Sequence, residues 1–369
     1  MLEPTLKRSL SLPMMVLYGL GTTIGAGIYA LIGKVAGTAG YYAPVSFLLA
    51  SLLAGLTALS FAEMASRFPR AAGAALYVQQ GLGTPRLGAI VGMLVILAGL
   101  VSAAALTNAF VGYLHAFIAI DRMTTIVLVS LGIGLIAVWG IAESVSVAAL
   151  VTLIEVGGLL LVIAVSGESL TALSQSWQDF LPPLQMPAWS GIVAGVGLAF
   201  YAFIGFEDMV DVAGEVRDVR RNLPRAIMVT LCITALLYFT LMLAAVTAIP
   251  PAELATSEAP LAALYARQGG DPTLLGIIGL FAIINGALIQ VIMASRVFYG
   301  LASRRQLPLI FARVNRRTRT PAYATAMATL ILLLLALSGS LETLARGTSL
   351  LMLTVFALVN LALWRIQQQ

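Results

Sequence analysis

Gly21-Thr22-Thr23-Ile24-Gly25-Ala26-Gly27-Ile28 lies inside an otherwise apolar segment that runs from Leu12 to Ile32. A run of that length can cross a bilayer, which needs about 20 apolar residues per helical span. Three glycines within seven residues make a poor lipid-facing helix, because each interior glycine costs roughly 0.5–1 kcal/mol relative to alanine. Two readings compete. Gly21 and Gly25 form a G-x-x-x-G pair that lets two spans pack closely. Alternatively the helix breaks, and a break inside a membrane must face a protein cavity or a ligand, since lipid cannot satisfy free N–H and C=O groups. Gly25, Gly27 and Ala30 also fit a loose dinucleotide pattern, but no strand precedes them and the run is apolar, so the nucleotide reading lacks its structural context.

The rest of the chain has the same character. Of 369 residues, 60% are hydrophobic and 10% charged, with a mean hydropathy of +0.98. This composition belongs to polytopic membrane proteins rather than soluble domains. Spans are expected near residues 12–32, 43–66, 87–118, 124–141, 145–165, 189–212, 223–249, 274–301, 322–337 and 344–363. With Lys7 and Arg8 ahead of the first span, the N-terminus is expected in the cytoplasm, and so is the C-terminus. All but four of the 21 Lys and Arg residues then fall inside, the exceptions being Lys34, Arg122, Arg267 and Arg346. The basic run from Arg304 to Arg319 reads as orientation and contact with anionic headgroups, not as a nucleic-acid site. Cys232 is the only cysteine, which excludes an intrachain disulfide and gives no thiolate metal site. His115 is the only histidine and sits at an outer helix end, where a polar anchor is the ordinary role. No H-E-x-x-H or G-x-S-x-G occurs, so the chemistry expected is binding, not hydrolysis, with no cofactor.

A second interruption opens the sixth span, Gly195-Val196-Gly197-Leu198-Ala199-Phe200-Tyr201-Ala202-Phe203-Ile204-Gly205-Phe206-Glu207-Asp208. A broken helix at the head of each set of five spans is the pattern of two inverted repeats whose breaks meet near mid-membrane; here the halves are 1–167 and 188–369 of a single transport domain. Glu207 sits in that span, where an ionised carboxylate costs roughly 2.5–3.5 kcal/mol on insertion scales. It either takes up a proton during a cycle or hydrogen-bonds the backbone freed at Gly205, and the two roles are compatible. Glu155, in the fifth span, has no basic residue in its own helix and needs a partner elsewhere or a proton.

These residues resemble the amino acid, polyamine and organocation permease family. The resemblance is spread over the chain: the Gly21–Ile28 stretch, Phe61-Ala62-Glu63-Met64-Ala65-Ser66-Arg67-Phe68-Pro69-Arg70-Ala71-Ala72-Gly73, Phe203–Glu207 followed by Glu215 and Asn222–Ile227, and Ala294–Ala302. It implies an all-α polytopic membrane protein with the LeuT-like five-plus-five inverted repeat. Substrate binding falls on Thr22, Ile24, Gly25, Ala26 and Gly27 in the first break, with the amides of Gly25, Ala26 and Gly27 taking a carboxylate at a half-helix end. In the second break it falls on Tyr201, Phe203, Ile204 and Gly205, with carbonyls around the last three taking an ammonium and Tyr201 as outer gate. Glu207 matches a position tied to pH-dependent transport. Glu155 falls where some relatives carry a lysine, which is a departure. Many relatives have twelve spans, and the second-helix motif here is richer in alanine.

The expectation is a secondary transporter in the plasma membrane that moves an amino acid or close amine by alternating access. Coupling is expected to a proton through Glu207 and Glu155. Sodium coupling, with oxygens from Asn285 and Ser295, and obligatory exchange stay open, as does a non-transporting sensor on the same fold.

Overall fold

The computed structural model describes residues 10–68, 73–115, 118–139, 144–183, 186–211, 213, 216–315 and 320–368. The expected positions Lys7, Arg8, Arg70, Glu215, Arg316, Arg317 and Arg319 lie outside them. Helices run in the order α1 (Leu12–Ala39), α2 (Ala43–Arg67), α3 (Gly73–Leu82), α4 (Pro85–His115), α5 (Arg122–Trp139), α6 (Ser144–Val165) and α7 (Gly167–Ser176). They continue as α8 (Met186–Tyr201), α9 (Val219–Ala248), α10 (Pro251–Thr256), α11 (Pro260–Arg267), α12 (Pro272–Ser303), α13 (Ala322–Ser338) and α14 (Leu341–Gln367). Among the described residues the one β-bridge is isolated and parallel, from Leu10 to Val216.

A helix lies at the place of each expected span, though the sixth, expected over 189–212, ends as α8 at Tyr201. Among the described residues six helical segments are long and apolar enough to cross a membrane, and four further apolar helices are shorter. Their outward faces are aliphatic: Leu56, Leu128, Leu135 and Leu350 are each at least 65% exposed, as befits lipid-facing positions. Helix starts follow local chemistry. Proline stands in the first turn of α1, α2, α10, α11 and α12, where its missing N–H leaves no bond unmade. The Asp271 carboxylate accepts from Thr273 N at 2.9 Å and caps α12.

α1 is the centre of the bundle and packs against α6, α8, α9, α10 and α12. Around it, α12 lies along α4, and α2 along α9. The short helices α3, α10 and α11 are too brief to span. α3 packs against α4 and α14 on the side of Asp211. α10 and α11 lie over the opposite end of α1, where Lys34 Nζ donates to Ala255 O at 2.9 Å.

Candidate binding site at the two helix breaks

Both expected breaks are present. Gly25 departs from helical geometry inside α1, with φ −23° and ψ −154°. α8 ends at Tyr201, residues 202–205 form turns, and a short 3-10 helix follows over Phe206–Val210. At this junction Gly205 takes φ +127°, a conformation that side chains oppose. A Cβ there would also collide with the carbonyl group of Thr22.

The two breaks touch. Thr22 Oγ1 donates to Gly205 O at 2.9 Å and lies 3.0 Å from Gly19 O. Gly27 faces Ala202 so closely that an added Cβ would lie 2.8 Å from Ala202 Cα. Of the Gly21–Gly25 pair, Gly21 packs so closely on Thr152 of α6 that an added Cβ would clash with its hydroxyl, while Gly25 is the break itself. Tyr238 Oη, from α9, donates to Thr23 O at 2.9 Å and ties a third helix to the first break.

A cleft opens at this junction, lined by Thr22, Gly25, Gly27, Tyr201, Ile204 and Gly286 among others. Five of the expected substrate residues therefore share one cavity. Ile24 and Phe203 are fully buried beside it, and Phe203 packs on Phe47 and Tyr238 with ring centroids 6.3 and 5.2 Å away. Ala26 keeps its place in the helix backbone, and its side chain lies outside the described residues. Tyr201 Oη sits 3.0 Å from Ser102 Oγ on α4 and 3.3 Å from Ser102 O, a direct link across the cleft.

The acids divide into two groups. Glu207 Oε2 accepts from Gly205 N at 2.9 Å, so this carboxylate does stitch the second break together. Its neighbour Asp208 turns the other way, because successive residues on a 3-10 helix point about 120° apart, and accepts from Gln290 Nε2 of α12 at 3.3 Å. Both acids and Asp211 line a second cavity beyond the first. Arg296 interacts electrostatically with Asp211.

Glu155 lies on the far side of α1. It is 1% exposed, and neither carboxylate oxygen has a hydrogen-bond partner among the described residues. Asn285 faces it from α12, but the Asn285 amide nitrogen is outside hydrogen-bond geometry. Tyr29 Oη donates to the backbone carbonyl of Glu155 at 2.9 Å, and Tyr113 Oη to that of Tyr29 at 2.7 Å. Ser295 is not brought to this place. It is ten residues along α12 from Asn285, about 15 Å at helical rise, and its hydroxyl donates to Ile292 O. His115 Nε2 lies 2.6 Å from Ile120 O and so anchors the helix end.

Ser102, Gln290, Asp208 and Tyr238 were missed in the sequence. Asp208 had a signal, its place directly after Glu207. The other three are single polar residues in long apolar helices, and their partners are remote in the chain.

Residues 10–369 match the profile of a family described as amino acid permease. The chain is 27% identical to a branched-chain amino acid permease of Bacillus subtilis, covering 98% of this chain and 81% of that one. It is 30% identical to cationic amino acid transporter 4, vacuolar, of Arabidopsis thaliana, covering 87% of this chain and 56% of the plant protein. It is 27% identical to human cationic amino acid transporter 4, over all of this chain and 61% of that one. The chain thus spans little more than half the length of several relatives it matches. Its fold is shared with the crystal structure of MhsT in complex with L-phenylalanine, at a TM-score of 0.66 and 16% identity, over 97% of this chain and 89% of that one.

Proposed function

The chain belongs to the amino acid permease family, and we propose that it moves an amino acid across the plasma membrane by alternating access. One observation carries this reading. Two broken helices meet through the Thr22–Gly205 hydrogen bond beside a cavity that both of them line. Half-helix ends present backbone polar groups without the desolvation penalty of a buried charge, so they suit a zwitterion's carboxylate and ammonium. The Gly25, Ala26 and Gly27 amides take the carboxylate, and the carbonyls of Phe203, Ile204 and Gly205 take the ammonium. Tyr201 closes the outer side through its bond to Ser102. The repeats are residues 1–167 and 188–369, with both termini cytoplasmic.

Coupling is to a proton. Glu207 and Glu155 are buried carboxyls without an ion-pair partner among the described residues, and alternating exposure lets each load and release a proton. Glu155 beside Asn285 supports a second reading, a sodium ion held by their oxygens. Purified protein in liposomes decides between them when uptake of labelled amino acids is followed with proton and sodium gradients imposed separately. Accumulation driven by the proton gradient alone is expected. Accumulation driven by sodium alone assigns the Glu155 site to that ion, and no flux under any gradient or counter-substrate contradicts transport.

A further inference from the structure

Helix α9 is longer than a bilayer needs. Its 30 residues extend about 45 Å at helical rise, against a hydrocarbon core of about 30 Å, so its ends stand among the headgroups. One of its faces is open along most of this length. Arg221, Arg225, Val229, Cys232 and Leu236 follow one another at steps of three or four residues and are all exposed, which places them on a single narrow stripe of the helix. The apolar part of the stripe faces lipid, and the two arginines head it. Arg217 and Arg220, also exposed, add charge beside them, and Asp218 is the one acid within residues 216–225. None of these arginines takes part in the two ion pairs found among the described residues.

The turn that presents the arginines is held in place. Arg217 N donates to Leu10 O at 2.9 Å beside the Leu10–Val216 bridge, the Asn222 side-chain amide donates to Arg217 O at 2.6 Å, and the Arg221 and Asn222 backbone amides both donate to Asp218 O. An arginine surrounded by water needs no partner, but Arg225 stands one turn from lipid-facing Val229, at the level where its neighbour is a headgroup. Arg221 and Arg225 are about 6 Å apart along the axis, and two guanidiniums at that spacing can share one phosphate. We propose that this face of α9 binds a phospholipid with an anionic headgroup, its phosphate between Arg221 and Arg225 and its acyl chains along Val229, Cys232 and Leu236. The arginines near the end of α12 are not arranged in this way. Arg304 follows the end of that helix, Arg305 takes φ +58° and Arg313 follows a short 3-10 helix, so they share no helical face. The lipid site does not depend on which solute the protein moves.

Native mass spectrometry of the purified full chain tests it, with phosphatidylglycerol and phosphatidylcholine of identical acyl chains competing in equal amounts for the first lipid position. The choline cation cancels the charge of the second lipid. Two arginines near the surface favour an anionic headgroup by about 30-fold, and a preference of roughly tenfold or more for phosphatidylglycerol is expected of the wild type. Equal binding of the two lipids overturns the proposal. So does displacement of phosphatidylglycerol by inorganic phosphate, which assigns the arginines to a free anion. Arg221→Gln combined with Arg225→Gln is expected to cut the preference to roughly threefold or less, whereas Arg304→Gln combined with Arg305→Gln, which removes the same charge elsewhere, is expected to keep it. An equal fall in both double variants assigns the preference to overall charge and overturns the site. The wild-type competition needs no variant and stands if the α9 double variant fails to fold.

Discussion

Gly205→Ala places a methyl group where the two broken helices are closest. The backbone at Gly205, with φ +127°, costs an alanine about 1–3 kcal/mol in strain. The new Cβ also lands on the carbonyl of Thr22, whereas carbon and carbonyl oxygen ordinarily approach only to about 3.3 Å. Relief requires one backbone to move, at an overpacking cost of about 1–3 kcal/mol. Together the two effects disfavour the closed junction by about 2–6 kcal/mol. Even the lower figure is about 30-fold in an equilibrium that needs the junction intact. Gly197→Ala is the control, since a Cβ there meets nothing within 4 Å and alanine favours the helix by up to about 1 kcal/mol. Thermal unfolding in detergent and uptake in liposomes are the assays. Gly205→Ala is expected to lose uptake and melt earlier, while Gly197→Ala holds or gains stability. Unchanged uptake and melting in Gly205→Ala refute the claim that the breaks touch there.

Glu207→Gln retains an acceptor for Gly205 N but carries no titratable proton, so uptake is expected to persist and lose its pH dependence; a wild-type pH profile counts against a coupling role. Tyr201→Phe removes the hydroxyl that reaches Ser102, at about 0.5–1.5 kcal/mol, and is expected to shorten substrate occlusion from the outer side. Ser102→Ala added to it changes little further, which a double-mutant comparison of dissociation rates reads directly. Asp271, exposed outside the span, has its carboxyl held below the ordinary value of 3.8, first by the Thr273 backbone amide. A depressed pKa contributes stability above the unfolded-state pKa that is lost as pH falls through the folded-state pKa. Asp271→Ala is therefore expected to lower the melting temperature near neutral pH, with the difference from wild type vanishing once the carboxyl is protonated at acid pH.

The breaks were legible because their cause is local. Glycine at 25 and 205 acts through its own backbone freedom, and span boundaries follow from apolar run length. Helices α3, α10 and α11 were not delimited as helices, since ten residues or fewer carry too little periodicity and lie between longer apolar runs. The lateral contacts of the site were also hidden. Gln290 meets Asp208 across 82 residues of chain and Tyr201 meets Ser102 across 99, and no spacing rule links residues on different helices. Glu207 shows the intermediate case. Its position in a broken span marked it, but only geometry showed that its carboxylate is held by Gly205 N while Asp208 meets Gln290.

Recognition of both ends of an amino acid by backbone at the two breaks is the claim on which the rest depends. Competition for uptake of a transported labelled amino acid by three analogues of that same amino acid tests it: the free amino acid, its methyl ester and its des-amino acid. The free amino acid is expected to compete at least tenfold better than either analogue, because each analogue leaves one break's polar groups unpaired. Equal competition by all three contradicts a site built from these two backbones.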